Sequence, residues 1–121
     1  MHIIKEQINS LVNLCHYAAE KSGWWQGVDV KAPYVISNKL CLIHSEISEA
    51  MEGDRKDCMD DHLPHRKMFE VELADAVVRI FDLAGACGLD LGGAIIEKMQ
   101  YNSDRLDHKL EKRNAEGGKK Y

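Results

Sequence analysis

Apolar residues recur at three- and four-residue steps through most of the chain, and that period belongs to helices rather than strands. Ile4, Ile8, Leu11, Val12, Cys15, Ala18 and Ala19 mark one face of a helix predicted from about Ile4 to Ser22, with Gly23 as its stop. Trp24 to Pro33 carries no helical period and reads as a loop. A second helix is predicted from Tyr34 to Glu52, with Ile36, Leu40, Ile43, Ile47 and Ala50 inward and Gly53 ending it. The polar stretch from Asp54 to Arg66, with Pro64, is a loop. Val71, Ala74, Val77, Val78, Phe81 and Ala84 define a third helix from Lys67 to Ala86, ended by Gly85 and Gly88. Asp90 is placed to cap a fourth helix, on which Ile95, Met99, Asn102 and Leu106 share a face running to about Lys112. Four helices with short connections predict an all-α fold, an antiparallel four-helix bundle. Residues 1–113 are read as a single helical domain and 114–121 as a short basic tail.

The 121 residues suffice for one domain, and 45% apolar content excludes a wholly disordered chain. No apolar run approaches the roughly 20 residues of a membrane-spanning helix, and the first residues lack a basic-then-apolar signal pattern. A soluble, intracellular protein is therefore expected. The net charge of −4 is uneven: residues 105–121 hold six Lys/Arg against three Asp/Glu, which leaves −7 on the remainder. An acidic body argues against a general binder of nucleic acid polymers. The basic end suits either a small anion or a neighbouring subunit, or it is a solvated, fraying helix end; both readings stand. No CxxC pair exists. Cys15, Cys41 and Cys87 read as small buried hydrophobes, while Cys58, His62 and His65 form only a loose cluster around Pro64, weak as a metal site.

The acidic residues are harder to reconcile with an ordinary surface. Glu46 and Glu49 lie three apart on the second helix, with Glu52 one step further, and Glu72 and Asp75 repeat the spacing on the third. Residues three apart point the same way, so these charges repel, and no Lys or Arg four residues from Glu46 or Glu49 relieves them. Leu42, Ile43 and Ile47 surround Glu46, and Leu73, Ala74, Ala76 and Val77 surround the second pair, so the carboxylates are expected to be partly enclosed. Two such pairs facing each other make an all-oxygen site for a hard cation such as Mg²⁺ or Mn²⁺. The plainer alternative is two acidic solvent faces.

Lys98, Asn102 and Arg105 fall at i, i+4 and i+7 of the fourth helix, a stripe suited to a phosphate chain or, more plainly, a surface row of helix formers. Arg79, four after Asp75 and three before Asp82, is expected to form an ion-pair ladder that keeps Asp75 ionised. Trp24 and Trp25 are candidates for stacking on a base, with sealing of the core or a subunit interface favoured for Trp25.

In order, these residues are similar to a known signature. Glu46-Ile-Ser-Glu49, 22 residues, then Glu72-Leu-Ala-Asp75 resembles the ExxE…ExxD pattern of the all-α nucleoside triphosphate pyrophosphatases, the MazG-like superfamily. The stretch from Lys39 to Ala50, the run from Lys98 to Arg105 and the Gly-Gly-Lys-Lys-Tyr end look like its small single-domain bacterial and phage members. The resemblance covers the chain from about Ser22 onward. It implies Mg²⁺-dependent hydrolysis of a nucleoside triphosphate, a purine dNTP ahead of others, to the monophosphate and pyrophosphate. It assigns Glu46, Glu49, Glu72 and Asp75 to the metal, Glu49 ahead of Glu46 to the attacking water, and Lys98, Asn102 and Arg105 to the triphosphate. Trp24, Trp25, His16 and Asn38, with Gln26, are the candidates for the base. It further implies a homodimer or homotetramer in the bacterial or phage-infected host cytoplasm, with sites shared between subunits. Helices apolar on too many sides for one small bundle agree with completion by oligomerisation.

No P-loop and no GxSxG motif is present. A di-iron bundle would need two ExxH pairs, and there are none. The reading from another class is a non-catalytic helical interaction or nucleotide-binding module, in which the acidic residues are simply exposed.

Overall fold

A computed structural model of the chain describes residues 1–105 and 109–121. The described residues form five helices and no strand: α1 (His2–Lys21), α2 (Val35–Lys56), α3 (Met68–Ala86), α4 (Leu91–Asp104) and α5 (Leu110–Asn114). The all-α expectation holds. No described helix is long and apolar enough to cross a membrane.

The chain forms two compact units, residues 10–89 and residues 1–9 with 90–121. In the first, α2 and α3 pack as an antiparallel hairpin. Gly53 near the end of α2 meets Met68 and Phe69 at the start of α3, and Glu46, two turns earlier, meets Arg79. Gly53 therefore does not end α2, as its sequence position suggested. It is buried inside the helix because a Cβ there would lie 2.8 Å from the Phe69 nitrogen and 2.9 Å from the Met68 side chain. The helix continues to Lys56 and stops at Asp57, which takes a left-handed conformation (φ 46°) that Asp tolerates better than most residues. The connection is closed by Asp60, a buried carboxylate whose Oδ2 accepts the His62 and Leu63 amides at 2.9 and 2.8 Å.

The second half of α1 crosses the end of α3 at Gly85. That glycine is also helical rather than terminal, and the left-handed stop is Gly88. A Cβ on Gly85 would sit 2.6 Å from His16 Cβ and 3.3 Å from the Val12 carbonyl, so only Gly permits this crossing. Gly85→Ala is expected to cost about 1–3 kcal/mol as α1 is pushed away, read as a lower urea midpoint at unchanged slope.

The buried apolar residues are few and mostly small: Val12, Ala50, Ala76, Leu83 and Ala84. Residues expected inward on α2 and α3 are only half covered, with Ile47 49%, Val77 45% and Val78 48% exposed. Cys41, expected to be buried, is exposed; it follows Leu40 on α2, itself half exposed.

In the other unit, Asp90 caps α4 as expected, accepting the Gly93 amide at 2.9 Å and the Asn9 side-chain amide at 2.8 Å. These two donors, with Lys5 3.3 Å away, hold its carboxyl below the usual carboxylate range. The fourth helix does not run to Lys112. It ends at Asp104, Arg105 is extended, and α5 is a separate turn. Asn102, Ser103 and Asp104 are weak helix formers, and Ser103 Oγ already donates to the Gln100 carbonyl at 3.0 Å. Leu106, assigned to the same face, lies outside the described residues.

Candidate metal centre

Three of the four predicted carboxylates converge. One oxygen each from Glu46 on α2 and from Glu72 and Asp75 on α3 lie within 4.8 Å of one another, and no other described group of acidic, His or Cys residues does so. The i, i+3 step on α3 places Glu72 and Asp75 on the side facing α2, and the antiparallel pairing brings Glu46 opposite them. Glu49, one turn further along α2, is exposed and stands outside the group of three, yet its charge still acts on Glu72.

The electrostatics record the crowding. Glu72 has its pKa pushed up to about 7, first by burial, then by a hydrogen bond to Glu46 and by the charges of Glu46, Asp75 and Glu49. Asp75 is raised as well, by burial and then by Glu46, with Arg79 opposing and Asp60 adding to the rise. Protonated Glu72 donates to Glu46, so without a cation the cluster relieves its repulsion by holding a proton.

Arg79 is not the ladder rung the sequence implied. Its Nε donates to Glu46 Oε1 across the helix pair at 2.9 Å, and it acts on Asp75 only as a neighbouring charge. The i, i+4 spacing on α3 allowed an Asp75 pair; the half-buried Glu46 on α2 offers the better enclosed partner.

Two of the three, Glu46 and Asp75, border a cavity of about 490 Å³ within residues 10–89, a size that takes a small ligand. Glu46, Asp75, Asp82, Lys39, Arg79 and Trp24 supply its polar and aromatic wall, and Cys15, Leu42 and Val78 are among its apolar side. The Cys15 thiol is pushed up by burial and by Asp82, which disfavours the nucleophilic thiolate.

The predicted base-contacting residues separate. Trp24, 70% exposed, lines the cavity. Trp25 and His16 are not part of its wall but hold Asp82: Trp25 Nε1 donates to Asp82 Oδ1 at 2.9 Å, and His16 Nδ1 lies 2.8 Å from the same oxygen. Their rings meet edge to face with centroids 5.6 Å apart. Asn38 is exposed and absent from the cavity wall, as is Gln26.

Lys98, Asn102 and Arg105 belong to the other unit. Lys98 Nζ lies 4.6 Å and the Arg105 guanidinium 5.7 Å from the centre of the Tyr101 ring. Asn102 Oδ1 is buried with no hydrogen-bond partner among the described residues.

Two residues at the cavity escaped sequence reasoning. Lys39, whose ammonium lies 4.4 Å from the centre of the Trp25 ring, sits seven residues before Glu46, so the helical period alone placed both on one stripe. In sequence Asp82 reads only as a charge for Arg79, although its position seven after Asp75 carries the same signal. Compared with family models, with curated proteins and with solved structures, the chain returned no match, and any functional assignment rests on these residues alone.

Proposed function

We propose that the protein is a metal-dependent nucleoside triphosphate pyrophosphohydrolase of the MazG-like type, converting a (d)NTP to the monophosphate and pyrophosphate. The observation that carries the proposal is the convergence of Glu46, Glu72 and Asp75 beside a cavity of nucleotide size. Three carboxylates are a hard, all-oxygen donor set suited to Mg²⁺ or Mn²⁺, and the proton held near Glu72 marks where positive charge is wanted. A cation bound there supplies Lewis-acid polarisation of a phosphoryl oxygen and acidifies a water.

This chain's own residues do the rest. Glu49, exposed one turn from Glu46, orients the attacking water and accepts its proton, with Glu46 second in line. Arg79 balances the excess negative charge at Glu46. Lys39, at the cavity wall, offers its ammonium to phosphate oxygens. Lys98, Asn102 and Arg105, in the other unit, are given to phosphate oxygens by the resemblance alone. The attacking water's oxygen joins the α-phosphorus, the bond from that phosphorus to the bridging oxygen breaks, and pyrophosphate leaves.

The half-covered Ile47, Val77 and Val78 support a homodimer or homotetramer completing a four-helix arrangement. Substrates are nucleotides in the cytoplasm rather than nucleic acid polymers. Calorimetric titration of the full chain with Mg²⁺ or Mn²⁺ tests the metal site. Binding is expected in the wild type, weakened at least about tenfold in Asp75→Asn. Equal affinity in the variant would favour a non-catalytic helical module with merely exposed acidic residues.

A further inference from the structure

Asp82 follows Asp75 by seven residues on α3, so both carboxylates occupy nearly the same stripe, two turns or about 10 Å apart along the helix. Both line the cavity. The Asp82 side chain is 15% exposed, and its Oδ1 is fully engaged by His16 and Trp25. The partners come from α1 and from the loop that follows it, which fixes the carboxylate's orientation from two sides. Its Oδ2 accepts no hydrogen bond from any described group. An enclosed carboxylate with half its acceptor capacity unused favours a ligand that brings a donor.

We infer that Asp82 reads the base, accepting a hydrogen bond from an exocyclic amino group, so that cytosine, adenine and guanine nucleotides are taken ahead of thymine and uracil ones. The inference rests on the pyrophosphohydrolase reading and deepens it. With the α-phosphate at the Glu46, Glu72 and Asp75 end, two helical turns reach across the sugar to the edge of the base. An amino group meets a lone pair there; a carbonyl in its place faces the carboxylate's negative charge and is repelled. Trp24, exposed in the same wall, offers a ring for the base to lie on, which favours every base alike and leaves discrimination to Asp82.

The test is kcat/KM of the full chain with Mg²⁺ on dATP, dCTP, dGTP and dTTP. To these is added the analogue of the best amino-bearing substrate with hydrogen replacing the amino group. The analogue and dTTP are each expected about tenfold or more below that substrate. Asp82→Asn, checked for helical circular dichroism, offers an amide donor as well and is expected to narrow the gap to dTTP about tenfold. An analogue turned over as well as its parent, a wild-type preference for dTTP, or an unchanged gap in folded Asp82→Asn overturns the inference and leaves the hydrolysis reading in place. No turnover of any nucleotide overturns both. The analogue arm needs only the wild-type chain, so it stands even if the variant fails to fold.

Discussion

Glu72→Gln is expected to act in opposite directions on stability and on activity. At pH 8 the metal-free wild type must keep Glu72 ionised against burial and against Glu46, Asp75 and Glu49. Glutamine keeps the shape, retains a donor for Glu46 and removes the charge. Glu72 is only partly enclosed, and solvent screening reduces the gain to about 1 kcal/mol, or a melting temperature higher by about 4 °C in a chain of this length. The same change removes one of three convergent ligand oxygens, and Mg²⁺-dependent turnover is expected to fall about a thousandfold or more. Thermal denaturation in chelator beside an activity assay reads both. A residue on a plain acidic surface would give neither effect.

The second large effect is in pH. The folded-state pKa of Glu72, about 7, exceeds its ordinary value of 4.5, so between those values the native chain holds a proton that the unfolded chain has released. Stability of the metal-free protein therefore falls as pH rises from about 4.5 to about 7, and this group's stabilising contribution is gone above that window. Glu72→Gln removes this part of the slope, so the difference in stability between variant and wild type widens with pH up to about 7. Cation binding runs the other way, because the proton and the metal compete for the same oxygens. Mg²⁺ affinity is expected to rise by up to about tenfold per pH unit below 7 and to level off above it. Titrations at pH 5.5, 6.5, 7.5 and 8.5 measure the profile; a flat one would mean that Glu72 is not a ligand.

The helices were legible because their apolar period is local, and Gly23 and Asp90 act through neighbours in sequence. Gly53 and Gly85 were misread for a tertiary reason: a glycine that lets two helices touch has the same sequence signature as one that ends a helix. The break after Asp104 was hidden because the apolar period continues to Leu106 while weak helix formers interrupt the backbone. At the site, spacing on α3 foretold that Glu72 and Asp75 share a face, and the structure brings them to Glu46, while Glu49, paired with Glu46 by the same spacing on α2, stays exposed outside the group. Spacing could not tell that Arg79 would choose Glu46 on α2 over Asp75 on its own helix. It also could not tell that His16 and Trp25 would be spent on holding Asp82 rather than lining the cavity. Those choices depend on which faces meet.

The most direct measurement is product analysis of the purified chain with each NTP and dNTP, with Mg²⁺ and with chelator, in ¹⁸O-labelled water. Monophosphate carrying the label and unlabelled pyrophosphate, formed only with the metal present, are the expected products. Orthophosphate release, label in the pyrophosphate, or undiminished turnover in chelator would contradict the hydrolysis reading.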